Sequence, residues 1–380
     1  MNRLPLWTSL VALFASVLLL VAVSRATIRH ADLLAQVSRE TPAGQASSSA
    51  VAFGRAATST RTAGMLTAAT SSPARPRGSK TSTAAVSNKK ASSPAAVSAA
   101  NFANASARLR AALVNIMCYA PASSSLHSIS GSGVIIDPKG IILTNAHVAQ
   151  YFLLANQGVS CVIRAGTPAT DRYDATIEYL SPAWIVENAG VLTEHMPTGT
   201  GEHDYALLAI TGTTTGAPLP ARFPAISLAL APPQAGADVV IASYGAQFLN
   251  PVEIQDALSP TVVYGSIKGI FTFATSSVDV LSLGGSAAAQ EGSSGGGVVD
   301  GQGRLVGLIT TSTVTGATAT RSLDAITASY IRADYAAQAG TSFDALLAQD
   351  PVMAAQAFAP RIPALEAAIL GASTSTTPRG

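Results

Sequence analysis

The sequence predicts an all-β domain, either a sandwich or a barrel, that follows an N-terminal transmembrane helix. Two observations predict the β domain: from about residue 105, short apolar runs alternate with turn residues, and no long helical patterns are interspersed among them. A third observation, an uncharged apolar run at residues 6–23, predicts the transmembrane helix.

The apolar run at residues 6–23 comes first in the chain. A helix of this length spans about 27 Å, close to the ~30 Å of a hydrocarbon core. We therefore expect residues 1–30 to form an uncleaved signal anchor, although Ser24-Arg25-Ala26 also fits the cleavage site of a secretory signal peptide. The anchor would cross the cytoplasmic membrane once and leave the rest of the chain on the periplasmic side.

Residues 31–104 are typical of a disordered linker. Fourteen of the twenty residues from 81 to 100 are Ala, Ser or Thr, a composition that cannot bury enough apolar surface to fold alone. Residues 51–100 carry seven basic side chains and no acidic one, whereas residues 101–380 carry 12 basic and 19 acidic side chains. Because the positive charge lies on the linker, this pattern excludes a folded nucleic-acid-binding surface.

The remainder of the chain is rich in predicted strands. Residues 133–136 and 141–144 flank Asp137-Pro138-Lys139-Gly140, which fits a β-turn, and so predict a hairpin. The other predicted strands are 114–119, 159–164, 205–210, 238–242, 261–267, 278–283, 298–299 and 304–310. Helical patterns occur only late, at 326–338 and 343–349.

Three residues at strand ends or turns could together perform acyl transfer. A serine nucleophile needs a base, a carboxylate that fixes the tautomer of the base, and N–H groups directed at the developing oxyanion. Ser294, in a Gly-rich turn, would be the nucleophile, His147 the general base and acid, and Asp204 the orienting carboxylate. The amides of Gly292 and Ser294 would form the oxyanion hole. Each residue alone is more often a surface, capping or loop residue, but their combination and order favour catalysis.

The Gly292-x-Ser294-x-Gly296 pattern also matches the nucleophile elbow of α/β-hydrolases. In that fold the chain order is Ser, acid, His, and a helix follows the serine. Here the order is His147, Asp204, Ser294, and no helical pattern follows, so this alternative fails.

Together these motifs resemble the trypsin-like serine peptidases, and most closely the HtrA (Deg) type of envelope protease. Residues 131–137 and 143–148 are similar to the His region of that group, 204–208 to its Asp motif and 286–296 to its Ser motif. The resemblance covers about residues 115–330. It implies a chymotrypsin-like double six-stranded antiparallel β-barrel, with the triad in the cleft between the barrels and with no cofactor. We therefore expect a protease domain at 105–345 and a helical, flexible tail at 346–380.

The sequence departs from the family pattern in three ways. The family usually has proline where this chain has Glu291 and Gly297, which predicts a nucleophile loop that is less firmly preset. Only some 50 residues follow residue 330, so we expect no PDZ domain. Residues 166–203 are expected to form a loop insertion that overhangs the cleft.

By analogy with the family, small uncharged residues build the substrate pocket. These are Ala288, Ala289, Gln290, Thr310, Thr311 and Ser312. Because no acid among them could receive Lys or Arg, we expect cleavage after small or medium apolar side chains.

The two cysteines, Cys118 and Cys161, fall in predicted strands on either side of the His motif. A disulfide in an oxidising compartment and two separate buried thiols both fit this placement. The histidines show no metal-ligand spacing, so no metal site is expected, and His203 is expected to be structural.

The sequence thus favours a membrane-anchored serine endopeptidase that acts on unfolded or flexible polypeptides. The alternative is a catalytically silent protease-fold scaffold or peptide-binding module of the envelope. The expected partners are polypeptide substrates and the membrane, with no nucleic acid, and a homo-oligomer is compatible with the sequence.

Overall fold

The structure, a computed structural model, describes residues 94–188, 192, 199–273, 276–312 and 316–375. The predicted signal anchor and most of the predicted linker lie outside the described residues. Within the described part, no helix has the length and apolarity that crossing a membrane requires.

The described residues contain two β-sheets. Their strands, in chain order, are β1 Leu113–Tyr119, β2 Ile129–Asp137, β3 Ile141–Thr144, β4 Ser160–Gly166, β5 Ala169–Leu180, β6 Ala206–Thr213, β7 Asp238–Ser243, β8 Thr261–Ser266, β9 Gly269–Phe271, β10 Val280–Ser282, β11 Gly297–Val299, β12 Leu305–Ser312 and β13 Leu323–Thr327.

Helices lie at both ends of the described chain and between some strands. They are α1 Pro94–Ala112, α2 Ala146–Ala149, α3 Pro182–Glu187, α4 Pro251–Asp256, α5 Ala328–Ala339, α6 Phe343–Ala348, α7 Pro351–Phe358 and α8 Ile362–Ser375, with 3₁₀ turns at Gln150–Gln157, Thr318–Thr320 and Ala359–Arg361.

The first sheet is a closed barrel with the strand order β1-β2-β3-β6-β5-β4. Its longest strand, β5, pairs with both β4 and β6 and completes the barrel. The expectation of a loop insertion at 166–203 is therefore wrong for the part that β5 and α3 occupy. In β5, only Ala169 and the last four residues are buried, and the rest of its first half is largely exposed, so its apolar pattern is weak.

The second sheet has seven strands in the order β8-β7-β11-β12-β13-β10-β9, where the family resemblance implied six. Its two outer strands, β8 and β9, are consecutive in the chain and are separated by Ile267 and Lys268. The N–H of Ile267 donates to Ala237 at the β7 side (2.9 Å), and the N–H of Lys268 donates to Ser282 of β10 (2.7 Å). Strand β8, residues 267–268 and strand β9 therefore form one continuous, bent segment. This segment supplies both edge strands of the sheet, and the two edges approach each other at the bend.

The terminal helices pack on the sheets. Helix α1 begins inside the predicted linker and contacts β2, β7 and β11, with Leu109 fully buried. Helix α5 packs on β12 and β13, and α7 packs on β5 and β6, where Phe358 is buried. Much of the segment that we expected to be a tail is thus part of the packed structure.

Candidate active site

Strand pairing brings His147 and Asp204 together. His147 lies in α2, directly after β3, and Asp204 lies directly before β6. Because β3 and β6 are antiparallel neighbours with Thr144 opposite Ala206, the two residues meet at one edge of the barrel. The His147 Nδ1 is 2.8 Å from Asp204 Oδ2, and the backbone N–H of His147 donates to Oδ1 at 3.0 Å.

The Asp204 carboxylate is buried and has several donors. Besides His147, the hydroxyl of Thr310 donates to Oδ2 at 2.7 Å, and the Asn145 amide donates to the backbone carbonyl of Asp204 at 2.9 Å. Burial opposes ionisation of Asp204, but the His147 charge and these hydrogen bonds outweigh it and lower the pKa of Asp204. Burial likewise opposes protonation of His147, yet the adjacent carboxylate raises its pKa overall.

Ser294 lies in a turn whose carbonyl groups are all held by donors. The Glu291 carbonyl accepts from Ala246 N–H (2.8 Å), and the Ser293 carbonyl accepts from Gly296 N–H (2.9 Å). The Gly292 carbonyl accepts from the Ser132 hydroxyl (2.8 Å), and the Ser294 carbonyl accepts from Ser132 N–H (2.7 Å). These bonds fix the peptide planes of the turn.

Two N–H groups of the same turn are free. Among the hydrogen bonds of the described residues, neither Gly292 N–H nor Ser294 N–H donates to a protein acceptor. The intervening Ser293 N–H, by contrast, donates to the Gln290 carbonyl at 3.1 Å. Gly292 has a positive φ of 86°, a conformation that glycine adopts without strain. Two unpaired N–H groups, two residues apart in a fixed turn, have the form of an oxyanion hole.

The Ser294 turn and the His147–Asp204 pair are anchored to the same two strands. On one side, Ser132 of β2 holds the turn while its carbonyl accepts from the hydroxyl of Thr144, three residues before His147 (2.7 Å). On the other side, the β12 carbonyl of Ile309 accepts from Gly295 N–H (2.9 Å), and the next residue along β12 is the Asp204 partner Thr310. The structure thereby brings the three predicted residues to one region between the sheets.

One of the two missing prolines has a structural explanation. A Cβ at residue 297 would lie 2.9 Å from Leu109 Cδ1 and 2.9 Å from Val134 Cγ2, so only glycine fits against α1. Glu291 has no such restriction, but the Ala246 N–H holds its carbonyl. In this structure hydrogen bonds from other segments hold the turn that we expected to be less preset.

The predicted pocket residues differ in their burial and in their hydrogen bonds. Ala288 and Ala289 are fully buried, and the Gln290 amide donates to the Ala287 carbonyl. The Thr310 hydroxyl donates to Asp204, a contact that the sequence did not predict, and its place in the pocket stays a prediction. The side chains of Thr311 and Ser312 lie outside the described residues.

Sequence reasoning missed Ser132 and Arg321. The Arg321 guanidinium is 6% exposed and donates to the carbonyls of Ala289 (2.7 Å) and Gly316 (2.9 Å) and to the Gln247 side chain (2.6 Å). It thus ties together three loops near the Ser294 turn. Neither residue belongs to a catalytic pattern, because each acts through contacts with segments far away in the chain.

The two cysteines are bonded to each other. Cys118 and Cys161 form a disulfide bond between β1 and β4, so the structure has the bonded alternative. Within the described part of the chain, no cluster of His, Cys, Asp and Glu could hold a metal ion.

Residues 131–308 match the family model described as the trypsin-like peptidase domain. A search of curated proteins finds no match. The active form of the Rv3671c protease from M. tuberculosis is similar at 22% identity, over 66% of this chain and 88% of that one, with a TM-score of 0.40. Its inactive form is similar at 20% identity, over 65% of this chain and 96% of that one, with a TM-score of 0.38.

These structural similarities are too weak to add to the assignment, which rests on the family match. Residues 131–308 therefore form a trypsin-like peptidase domain, and the chain is a serine-type peptidase.

Proposed function

We propose that the chain is a membrane-anchored serine endopeptidase of the cell envelope that cleaves unfolded or flexible proteins through His147, Asp204 and Ser294. The observation that carries the proposal is the His147–Asp204 pair, with 2.8 Å between Nδ1 and Oδ2, beside a turn with two unpaired N–H groups. This arrangement supplies a base, its orienting carboxylate and an oxyanion hole.

In the proposed reaction, Ser294 Oγ attacks the carbonyl carbon of the substrate peptide bond and transfers its proton to His147 Nε2. Asp204 accepts the hydrogen bond from Nδ1–H and stabilises the imidazolium that forms. The N–H groups of Gly292 and Ser294 bind the oxyanion of the tetrahedral intermediate. When the C–N bond breaks, His147 donates its proton to the leaving amine. Water then attacks the acyl-enzyme, with His147 again as base, and releases the new carboxyl group and Ser294.

The decisive experiment is labelling of the full-length chain with a fluorophosphonate probe, which reacts with activated serines. We expect the wild type to be labelled and Ser294→Ala not to be. Ser293→Ala is the matched control, because Ser293 is adjacent but buried and hydrogen-bonded to Ser243 (3.0 Å). If the wild type is unlabelled and does not cleave casein, the silent scaffold replaces the peptidase proposal.

The proposal extends to substrate class. Trypsin-like clefts bind substrate as an extended strand, so an unfolded or flexible segment is required. The predicted pocket residues include no acidic side chain, which favours small or medium apolar side chains at the cleaved position, and the Arg321 guanidinium, which donates to the Ala289 carbonyl, disfavours a cationic one. A peptide library tests this, and dominant cleavage after Lys or Arg would contradict it.

Anchoring through residues 6–23 is the remaining part of the proposal. It is supported by the length and apolarity of that run. We expect full-length chain to stay in the membrane fraction after alkaline carbonate extraction and a variant lacking residues 1–30 to be released. A wild-type chain that is soluble and lighter by the mass of the leader would instead indicate a cleaved signal peptide.

A further inference from the structure

One carboxylate contacts both neighbours of Asp204 in the chain. Asp334, in α5, lies with Oδ1 2.9 Å from Nδ1 of His203 and with Oδ2 2.9 Å from the hydroxyl of Tyr205. The three side chains are mostly buried, with Asp334 9% and His203 19% exposed. Asp334 is separated from these residues by about 130 positions, so only the tertiary fold makes these contacts.

The His203 backbone is in an unfavourable conformation. Its φ is 59°, and it is the only residue other than glycine with a positive φ among the described residues. A non-glycine residue in this region costs of order 1 kcal/mol or more, and it persists only where the surroundings hold it.

Helix α5 supplies the groups that hold His203. The Tyr330 hydroxyl accepts from His203 N–H at 3.1 Å, and the Gln338 amide lies 3.0 Å from His203 Nδ1 while donating to Asp334. On the other side, Glu202 is 4.0 Å from His203 Nε2. Three residues of α5 therefore converge on this one strained residue.

The strained residue directly precedes the carboxylate of the site. The Tyr205 N–H donates to the His203 carbonyl at 2.9 Å, so Asp204 lies at the centre of a tight turn between the two residues that Asp334 contacts. The Asp204 oxygens must meet three donors at once: His147 N–H, the His147 ring and Thr310. A rotation of this turn would misalign all three bonds, and displacements of about 1 Å can cost about 10²-fold in rate.

We propose that Asp334 is a positioning residue that, through His203 and Tyr205, holds Asp204 in its productive orientation. This inference rests on the proposed function of the triad. It makes helix α5 part of the machinery that sets the catalytic geometry, although none of its residues touches the reacting atoms.

The test compares Asp334→Asn with Asp344→Asn in the full-length chain. Asp344 is the matched control, because its carboxylate also pairs with a side chain of α5, that of Arg332. The Asp344 side chain is 69% exposed, and this ion pair does not involve Asp204 or its two neighbours in the chain. For Asp334→Asn we expect kcat on a peptide substrate to fall about 10- to 100-fold with KM changed less than about twofold. The far-downfield proton NMR signal of the His147 Nδ1–H should shift or disappear. Asp344→Asn should leave kcat and the signal unchanged.

A second pair of variants separates positioning from loss of structure. Since glycine adopts a positive φ freely, His203→Gly combined with Asp334→Asn should recover part of the lost kcat if Asp334 acts by holding this turn. Tyr205→Phe removes one of the two contacts at little cost in volume and should give a smaller fall in kcat, even if Asp334→Asn proves unstable.

The outcomes distinguish the two proposals. An active wild type whose kcat and His147 signal are the same in Asp334→Asn, Tyr205→Phe and Asp344→Asn overturns the positioning role and leaves the triad intact. A wild type that shows no phosphonate labelling overturns the triad itself.

Discussion

The two sheets position their functional residues in different ways. In the first barrel, antiparallel pairing of β3 with β6 sets the His147–Asp204 contact, and a disulfide joins β1 to β4. In the second sheet β9, β10 and β11 have only three residues each, and the Ser294 turn is held by contacts from elsewhere in the chain. Strand pairing thus sets the backbone positions of His147 and Asp204, whereas even the backbone of the Ser294 turn depends on tertiary contacts.

Ser132 makes the contacts that connect the first barrel to the Ser294 turn. This β2 residue belongs to the first barrel, is fully buried and holds two carbonyls of the Ser294 turn. The turn whose N–H groups we propose as the oxyanion hole is therefore held by contacts from both sheets.

Asp204→Asn should break the part of the site that strand pairing sets. An amide can leave His147 in the wrong tautomer and cannot stabilise its cation, so we expect kcat/KM to fall by about 10⁴-fold. Steady-state kinetics on a peptide substrate measures the effect. The melting temperature should fall, because an amide cannot accept all three of the hydrogen bonds made to the carboxylate. A fall in kcat/KM of less than about tenfold would show that Asp204 does not orient the base.

Gly295→Ala should break the fit between the two sheets. A Cβ there would lie 1.9 Å from the Ser132 carbonyl oxygen, and φ is 84°, so the turn must move away from β2. We expect a loss of about 10²- to 10³-fold in the phosphonate labelling rate. Gly216→Ala is the control: it has a similar φ of 74° but no atom within 4 Å of the added Cβ, so equal effects would attribute the loss to backbone strain alone.

Ser132→Ala removes a single hydroxyl group that links the first barrel to the Ser294 turn. The Gly292 carbonyl loses its donor and the Tyr244 N–H loses its acceptor (2.8 Å), so the oxyanion turn becomes less fixed. We expect kcat to fall about tenfold with stability lower by about 1–3 kcal/mol. The comparison is Ser130→Ala, two residues earlier on β2. Unchanged kcat in Ser132→Ala would show that the second sheet fixes its turn unaided.

The pH profile should report the first barrel's contribution. Because Asp204 raises the pKa of His147 and the base acts in its neutral form, kcat/KM should rise with pH through an apparent pKa above 6.5. Thr310→Val removes a hydrogen bond that lowers the pKa of Asp204, and we expect a several-fold lower kcat. A profile that is flat between pH 5 and 8 would contradict the role of His147.

Glu178→Gln should change stability and leave activity almost unchanged. Glu178 is 2% exposed, neither of its carboxylate oxygens has a hydrogen-bond partner among the described residues, and burial raises its pKa from 4.5 to about 8. Between these values the folded chain keeps a proton that the unfolded chain has lost, so wild-type stability should fall by about 2–4 kcal/mol as pH rises. Urea denaturation at pH 5 and 8 tests this. In the Gln variant this part of the fall should be absent.

The sequence predicted the strands and site residues that have strong local patterns. The β3 strand, the turn before it and the His, Asp and Ser motifs are local, and each could be read from a few neighbouring residues. Strand β5 was missed because its first half is exposed and polar. The hydrogen bond from Thr310 to Asp204 was not predicted, because its two partners are 106 positions apart in the chain.

The contacts that hold the site were not predictable for the same reason. Ser132, Arg321 and Asp334 join segments that are distant in the chain, and nothing in their local sequence marks these contacts. A residue type alone does not show whether its hydrogen bonds go to solvent or to a turn in another sheet.

Helix α1 gives the domain a mechanical connection to the chain that precedes it. Leu109 of this helix fills the space over Gly297, three positions beyond Ser294, and Arg108 reaches the Gln302 carbonyl in the next turn. A displacement of α1 would therefore reach β11, the strand that follows the Ser294 turn.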